Sequence, residues 1–584
     1  MAHNRYLDNA LIYSTIRLYI FSSAIWKMTS MATISMTKDD VRKDYKNEVN
    51  EMEKLFELKY DVRKDYKNEV NKMEKLFELI MPIIKKYLLE NGIETTKVIE
   101  YLHPNKLIET LDIPLSTSNS KSNVTLVEVS KIVENVLKYS VRTSHPRFFD
   151  KLYAGSDIIG QISELIISVT NTNCHTYAVA PVYSTMERAV IKAMAKLVGF
   201  KDLERVDGCL NPGGSQSNLT ALIVARHYKF STVKLNGWSN PMNAICLTGS
   251  QSHYSIKRAA MIAGFGMNNC IKVKTDRKGC MIISDLESKL QQAVDVNGKI
   301  PFFISATAGT TVMGGFDNFI EVARLCKKYK CWFHIDACWG GSVCMSTKYK
   351  YLLNGAELCD SIVWNPHKTM GIPVYCSVLL INNHLKLLEE SNSSGAEYLF
   401  HEHEASEYDL GDKTLQCGRR ADSLKIWLSW KYHGVYGYET RINKAFANAK
   451  YFKEEIIKRT IRKNTFLLVE DPMYLNICFW YVPSKIRSEI KPEMEKFCNG
   501  GFNPIEHVAN NNESIIYNTL HEVNEAIYYK MQKRGYALCC YNPLRDGHHD
   551  LPNFFRIIIN QPRVEKTDLD FLLHEIEMVG ESFA

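Results

Sequence analysis

The chain has 584 residues, of which 45% are hydrophobic and 23% are charged, and its formal net charge is +7. This composition is typical of a globular protein with two or three domains, and it excludes a disordered chain. No basic segment is interleaved with aromatic residues, so the sequence does not favour nucleic-acid binding. The 16 cysteines lack CxxC spacing, which indicates a reducing, cytoplasmic location and no metal site.

Residues 1–38 are predicted to be an unstructured extension. The apolar stretch "ALIYSTIRLYIFSSAIW" is interrupted by Arg17 and is short for a bilayer span, so we expect no membrane anchor. A weak presequence, or translated sequence upstream of a later start methionine, would also account for this stretch.

Residues 39–155 are predicted to form a helical N-terminal segment that contains a tandem repeat. The copies, 40–60 and 61–81, differ at three positions, and each repeats apolar residues at steps of three or four, as an amphipathic helix does. The repeat could be a coiled-coil partner site or a local duplication that lengthens one helix. Duplication is the preferred interpretation, because two copies are too few for a stacked array.

Residues 156–424 are predicted to form a large α/β domain. Short β-rich runs, "NAICLTG", "IPFFISATA", "KCWFHIDA", "DSIVW" and "YCSVLLIN", alternate with amphipathic helices such as "DNFIEVARLCKKYK". This alternation indicates a mixed, mostly parallel sheet covered on both faces, with ligands at the carboxyl ends of its strands. Residues 425–584 are predicted to form a small α+β domain, with strands in "MYLNICFWYV" and "NFFRIIIN".

Two segments of the α/β region could bind the phosphate and the ring of a cofactor. In "NPGGSQSN", two glycines permit close backbone approach, and Ser215 and Gln216 open a helix whose first amides suit a phosphate. In "SQSHYS", His253 follows a predicted strand and could stack on an aromatic ring. Each feature alone is weak, since glycine pairs often cap helices and single histidines are usually structural.

Two further segments supply an acid and an amine. Asp336 ends the strand in "FHIDACWGG", where its carboxylate could keep a pyridine nitrogen protonated. Lys368 in "VWNPHKTMG" lies between two apolar strands, and its amine could form a Schiff base with an aldehyde beside Asn365 and His367. A phosphate cradle, a stacking ring, an acid and an imine-forming lysine together indicate pyridoxal 5'-phosphate.

From about residue 71 onward the chain resembles the group II pyridoxal-phosphate-dependent amino-acid decarboxylases, especially those acting on glutamate, cysteine sulfinate and aspartate. The resemblance lies in "HPRFF", "APVY", "ATAGTTVMGGFD", "HIDACWGGS", "NPHK", "YDLGDKTLQCGRR" and "NFFR", which occur in the family's order. It implies the type I fold of PLP-dependent transferases and a homodimer with the active site at the subunit interface. The second repeat copy, not the first, matches the family's N-terminal helix.

The resemblance also implies roles for individual residues. Lys368 would form the imine, Asp336 would pair with the pyridine nitrogen and His253 would stack on the ring. The further cofactor contacts would be Ser215, Gln216, Thr311, Asn365 and His367. At the substrate end, Arg556 matches the arginine that binds the distal acid, although a surface strand position is the alternative.

Lys151 and Tyr153 lie in a segment that resembles the family's substrate loop. Because glutamate decarboxylases carry small polar residues there, the bulky Tyr153 should shorten the pocket and favour aspartate or cysteine sulfinate. Tyr375 stands where members with acidic substrates usually carry glutamine, a change of undetermined effect.

The loop "HEHEASE" is about two residues shorter than in the family and lacks the tyrosine that donates the final proton. His401, His403 or Tyr408 would have to replace it, and Tyr408 is the predicted catalytic residue. The expected function is decarboxylation of a short acidic amino acid to hypotaurine, β-alanine or GABA. The alternatives are an oxygen-consuming, aldehyde-forming enzyme and an inactive interaction paralogue.

Overall fold

The computed structural model describes residues 63–117, 124–239, 243–401, 404–490, 515–547 and 549–583. They fall into two compact units, one assigned to Met1–Lys85 and Thr117–Glu134 and the other to Lys86–Ser116 and Asn135–Ala584. The predicted extension 1–38 and the first repeat copy lie outside the described residues. The second copy contributes to a helix that runs from Lys64 to Glu90.

Fourteen α-helices are present in the described ranges. In chain order, α1 to α14 are Lys64–Glu90, Pro104–Leu111, Leu126–Tyr139, Ile158–Thr170, Pro181–Val198, Gly214–Lys229, Val233–Asn236, Ser255–Ile262, Ile283–Asp295, Phe319–Tyr329, Leu387–Asn392, Ser423–Lys463, Ile515–Arg534 and Lys566–Gly580. The backbone of α12 is non-helical at Gly434, so it consists of two helical pieces.

Seven strands form the central sheet of the larger unit. They are β1 to β7, Asp207–Asn211, Ala244–Gly249, Cys270–Val273, Ile300–Thr307, Trp332–Ala337, Ser361–Trp364 and Ser377–Ile381. Their spatial order is β1-β7-β6-β5-β4-β2-β3, and β7 runs antiparallel to both neighbours while the other pairs are parallel. The predicted mixed, mostly parallel sheet is therefore confirmed.

Successive side chains of the sheet point into two different apolar clusters. On β7, Val378 and Leu380 belong to one cluster, whereas Leu379 and Ile381 belong to the other. Because strand side chains alternate between faces, both faces of the sheet are buried under apolar side chains. This explains why these strands are continuous apolar runs in the sequence.

A second, antiparallel sheet lies in the C-terminal part of the chain. Its strands are β8 to β11, Phe466–Leu468, Asn476–Tyr481, Cys540–Arg545 and Asp550–Ile558, in the order β10-β11-β9-β8. Helix α13 lies between β9 and β10 in the sequence, and α14 follows β11. This combination of an antiparallel sheet with separate helices is an α+β arrangement. No helix among the described residues is long and apolar enough to cross a membrane.

Candidate active site

One edge of the central sheet collects the candidate residues, because parallel strands end there together. Strand β5 ends just after Asp336, Asn365 follows β6 and Gly213 follows β1. Strand β7 runs in the opposite direction, so its start, next to Tyr375, reaches the same edge. This is the position at which open α/β sheets bind ligands.

A cavity of about 400 Å³ opens at this edge of the sheet. Its lining includes all eight residues predicted to contact the cofactor, Ser215, Gln216, His253, Thr311, Asp336, Asn365, His367 and Lys368. The volume lies within the range of small-molecule sites, roughly 300–1,000 Å³. Residues as far apart in sequence as Ser215 and Lys368 thus converge on one cavity.

The phosphate end of the cavity is the start of α6. Gly213 has φ of +133°, which side chains rarely tolerate, and it precedes the first helical residue, Gly214. A Cβ at Gly214 would lie 2.4 Å from Cys338 Sγ and 2.9 Å from Asn365 Nδ2, so only glycine fits there. The amides of a helix N-terminus and this bare backbone together form an anion cradle.

Gln216 is held beside the cradle by Gln416, because its Nε2 amide donates to the Gln416 Oε1 atom. Gln416 belongs to the "YDLGDKTLQCGRR" segment, which also supplies Lys413 for an ion pair of 2.8 Å with Asp207 on β1. These contacts attach the segment to the first turn of α6 and to the far end of β1. The sequence identified the motif but not these two partners.

The opposite end of the cavity carries a buried negative charge. Asp336 is only 5% exposed, and its carboxylate accepts hydrogen bonds from Asn218 Nδ2 at 2.9 Å and from the Cys338 amide at 3.1 Å. Burial alone would raise its pKa, but the hydrogen bond from Cys338, the electrostatic influence of the nearby His253 and Lys368 side chains and the hydrogen bond from Asn218 lower the pKa below its usual value. Asp336 therefore remains ionised and suits a protonated pyridine nitrogen.

Asn218 links this carboxylate to two histidines. Its Nδ2 group also donates to Ser255 Oγ at 2.9 Å, and its Oδ1 atom lies 3.0 Å from His334 Nε2. Ser255 contacts Nδ1 of His253 through its hydroxyl at 2.8 Å and through its amide at 3.3 Å. Because an amide can only donate, Nδ1 of His253 accepts and the ring proton lies on Nε2.

Burial keeps the histidines of this region neutral. Burial lowers the pKa of His334 and of His367 to about 4, and it lowers the pKa of His253 as well. Nδ1 of His367 lies 2.5 Å from the Cys376 carbonyl oxygen and 3.1 Å from the Cys376 amide nitrogen. His367 thus fixes the start of β7 relative to the lysine loop, in which Lys368 is half-buried.

Arg556 lies on β11 and is buried, with 6% exposure, so the alternative of a surface strand residue is wrong. Its Nη1 atom donates to the carbonyl oxygen of Thr311, a cavity residue, at 3.1 Å. Its Nη2 atom donates to the Asp150 carbonyl oxygen, also at 3.1 Å, and Asp150 pairs with Lys151. The guanidinium therefore lies behind the cavity wall and is joined to the predicted substrate loop.

Besides Arg556, three predicted residues are not among those that line the cavity. Tyr153 is 36% exposed and its ring centroid lies 6.1 Å from that of Phe148. Tyr408 lies beneath the Arg188 guanidinium, 4.2 Å from it, and 5.6 Å from the Tyr177 ring. Lys151 has a half-exposed side chain.

The predicted proton donors therefore remain predictions. His401 is exposed and is not a cavity residue, and His403 lies outside the described residues. No group of three or more His, Cys, Asp or Glu side chains in the described part of the chain could hold a metal ion.

The residues present fit pyridoxal phosphate. The cavity offers an anion cradle, a half-buried lysine and, at 5% exposure, an ionised carboxylate. The Asn365 Oδ1 atom is buried at the cavity and has no hydrogen-bond partner among the described residues, so it has an acceptor free for a ligand. A phosphate, an aldehyde and a pyridinium each find a complementary group.

Comparison with known proteins identifies the family. The conserved domain of pyridoxal-dependent decarboxylases matches residues 104–482. The acidic amino acid decarboxylase GADL1 of Xenopus tropicalis is 40% identical over 488 residues, which cover 83% of this chain and 88% of that protein. The chain belongs to the pyridoxal-dependent decarboxylase family.

Other comparisons with this decarboxylase agree. GADL1 of Mus musculus is 38% identical over 501 residues, covering 85% of this chain and 84% of that protein. The crystal structure of mouse CSAD has 34% identity and a TM-score of 0.78, and the match covers 87% of this chain and 99% of that chain. The predictions of the family, the α/β fold and the PLP cofactor are confirmed, and the protein is a PLP-dependent amino-acid decarboxylase.

Sequence reasoning missed the buried residues that support the site, chiefly Asn218, Ser255 and His334. A usable signal was present for two of them. His334 and Asp336 are two residues apart on a strand, so their side chains share a face. Asn218 lies three residues after Ser215 on α6, which places it on the same helix face as the cradle.

Proposed function

We propose that this decarboxylase removes the α-carboxyl group of a short acidic amino acid. The substrate is cysteine sulfinate or aspartate, with glutamate as the third candidate, and the products are carbon dioxide and hypotaurine, β-alanine or GABA. The observation that carries the proposal is the buried guanidinium of Arg556, which is positioned behind the cavity wall at Thr311.

Arg556 forms no ion pair with a carboxylate in the described ranges, and its buried Nε atom has no hydrogen-bond partner there. Its two hydrogen bonds go to neutral carbonyl oxygens. A buried cation without a counter-ion is costly, so an anionic group of a ligand would be strongly favoured beside it. A distal carboxylate or sulfinate has the charge and the geometry for such a contact.

Two further features support an acidic substrate. The loop that carries Lys151 and Tyr153 is joined to Arg556 through the Asp150 carbonyl oxygen, which places the predicted substrate loop beside the buried guanidinium. The relatives at 40% and 38% identity bear the name acidic amino acid decarboxylase. The preference for the shorter acids over glutamate remains a prediction from the substrate loop, since Tyr153 does not line the cavity.

Different residues of the cavity have different roles in the reaction. When bound, pyridoxal phosphate supplies the electron sink that accepts the electron pair left by the departing carboxyl group. The N-terminus of α6 binds the phosphate and fixes its orientation, and Asp336 holds a proton on the ring nitrogen through its charge. Lys368 presents its Nζ amine for binding the aldehyde and for moving protons near the substrate α-carbon.

An assay of the purified protein with PLP tests the proposal. Aspartate, cysteine sulfinate and glutamate are supplied separately, and amine, carbon dioxide and hydrogen peroxide are measured together. At least one acid should give amine and carbon dioxide in equal amounts. Lys368→Ala should abolish the activity, whereas the exposed Lys201→Ala should retain it. Absence of amine from all three acids would refute the proposal.

An aldehyde-forming reaction is the second candidate, because the described donor candidates His401 and Tyr408 do not line the cavity. In that reaction the amino acid, oxygen and water would give an aldehyde, carbon dioxide, ammonia and hydrogen peroxide. Equal yields of peroxide and carbon dioxide in the assay would support it. Carbon dioxide without peroxide would exclude it.

We also propose that the protein is a homodimer. Tyr375 is 65% exposed although it lines the cavity, and Tyr398 and Tyr436 are 85% and 80% exposed. Large exposed aromatic side chains are typical of surfaces that bind another protein. Analytical ultracentrifugation should give about twice the 67.0 kDa mass of the chain, and a monomer at micromolar concentration would contradict this proposal.

A further inference from the structure

Tyr375 occupies an unusual place at the phosphate end of the cavity. Its side chain lines the cavity together with Gly213, and a Cβ built on Gly213 would lie 4.0 Å from the Tyr375 ring. The ring also meets His367 edge to face, with centroids 6.0 Å apart and planes at 83°. The aromatic ring therefore stands beside the phosphate cradle.

The side chain of Tyr375 is mostly exposed, so its position depends on its backbone. The backbone is held by Lys425 in the first turn of α12, a lysine with 1% exposure. Lys425 Nζ donates to the carbonyl oxygens of Tyr375 at 3.0 Å and of Pro373 at 3.3 Å. Both bonds are charge-assisted.

Two carboxylates compensate the charge of Lys425. Glu164 on α4 lies 3.0 Å from its Nζ atom, and Asp422 lies 2.9 Å from it. Arg420 pairs with both carboxylates, so the cluster contains two positive and two negative groups. Lys425 and Asp422 are largely buried, whereas the Arg420 side chain is 52% exposed, so the charge-balanced cluster restrains chiefly its buried members.

The same segment is held at both of its ends. The ring of Pro373 packs against Gly160 of α4 so closely that a Cβ there would lie 2.4 Å from Pro373 Cδ. At the other end, the backbone of Cys376 is bonded to His367 Nδ1. Residues 373–376 therefore form a rigid support for the Tyr375 ring.

We propose that the Tyr375 ring covers the phosphate end of the cavity and slows the release of PLP, and that Lys425 is the positioning residue of this cover. The proposal rests on the PLP cofactor and does not depend on which acid is the substrate. We expect PLP to dissociate slowly, because its phosphate can leave only after the Tyr375 ring has been displaced. The backbone that carries this ring is held by Lys425.

The test is the rate at which PLP leaves the holoenzyme. The protein is diluted into an excess of a scavenger of free PLP, and the loss of cofactor absorbance is followed. Tyr375→Ala removes the ring and should accelerate release about five- to tenfold, which is the effect of losing one aromatic contact. Tyr375→Phe keeps the ring and should release PLP at the unaltered rate.

Tyr351→Ala is the matched control, since Tyr351 is 60% exposed and does not line the cavity. Release from Tyr375→Ala at the unaltered rate would refute the proposal, and so would equal acceleration by Tyr375→Phe. If the unaltered protein bound no PLP, the cofactor assignment itself would fail. If it bound PLP and decarboxylated while Tyr375→Ala released PLP at the unaltered rate, only the present inference would fail.

The role of Lys425 is tested by combining substitutions. Lys425→Met should accelerate release, but it should add nothing in a Tyr375→Ala background, because the group that it positions is already gone. If Lys425→Met does not fold, Glu164→Gln takes its place in the test, because it leaves Lys425 paired with Asp422. Glu164→Gln should accelerate PLP release less than Lys425→Met. Normal release from both variants, or equal acceleration in both backgrounds, would refute the positioning role.

Discussion

Replacement of Gly214 by alanine should weaken cofactor binding by a purely steric effect. Gly214 is the first residue of α6 and lines the cavity, and unlike Gly213 it does not have a positive φ. Alanine is therefore compatible with its backbone. The added Cβ, however, would lie 2.4 Å from Cys338 Sγ and 2.9 Å from Asn365 Nδ2.

The size of the effect follows from these distances. Non-bonded heavy atoms prefer separations of about 3.5–4 Å, so Cys338 would have to move by roughly 1 Å. Cys338 is 8% exposed and belongs to a buried apolar cluster, which prevents an easy shift. Overpacking of this kind costs about 1–3 kcal/mol. If the strain is relieved by displacing the cradle, PLP affinity falls about five- to 150-fold, since 1.4 kcal/mol corresponds to a factor of ten.

The assay is a titration of the apoprotein with PLP, followed by cofactor absorbance, together with thermal denaturation. Cys338→Ala in the Gly214→Ala protein removes the closer contact and should restore part of the affinity. Gly92→Ala is the control, because its nearest contact would be an ordinary 3.5 Å. Unchanged affinity of Gly214→Ala, or a double variant no better than the single one, would refute the steric argument.

Three further predictions concern charge. Asp336→Asn removes the buried carboxylate that faces Lys368, and it should lower kcat by about 10²–10⁴-fold in steady-state assays; a smaller loss would contradict its proposed role. Arg556→Gln should raise the KM for the acidic substrate by about 10- to 100-fold with unchanged PLP affinity. Burial lowers the pKa of His334 from 6.5 to about 4, so unfolded chains bind more protons between these values and stability should fall as pH drops through this window. As the pH drops through this window, the midpoint temperature of thermal denaturation should fall less steeply for the His334→Asn variant than for the unaltered protein.

The strands predicted from the sequence are those buried on both faces. Continuous apolar runs identified β4 to β7, and β2 was found for the same reason. Strand β1 was missed because "DGCLN" contains only two apolar side chains, those of Cys209 and Leu210. It becomes a strand by pairing with β7. Strand β10 was missed because it contains Pro543 and is only partly buried.

The candidate site was predicted better than the residues that support it. Lys368, Asp336 and the cradle are recognisable because their chemistry is local to short motifs. Asn218 and Asp336 are separated by 118 residues in sequence, and only the folded sheet brings them to 2.9 Å. Contacts of this kind depend on strand order, which a single sequence does not specify.

The residues proposed for cofactor chemistry and for substrate selection lie on different sheets in this decarboxylase. Asp336 lies near the end of β5 in the central sheet, whereas Arg556 lies on β11 of the antiparallel sheet. The two sheets meet at the Thr311 carbonyl oxygen, which accepts hydrogen bonds from Arg556 Nη1 at 3.1 Å and from Asn476 Nδ2 at 3.0 Å. Both lone pairs of that oxygen are thereby used. Substitutions on the antiparallel sheet therefore reach the cavity through its wall, at Thr311 and at Trp339, whose Nε1 atom donates to Asn476 Oδ1 at 2.8 Å. They should change KM before they change kcat.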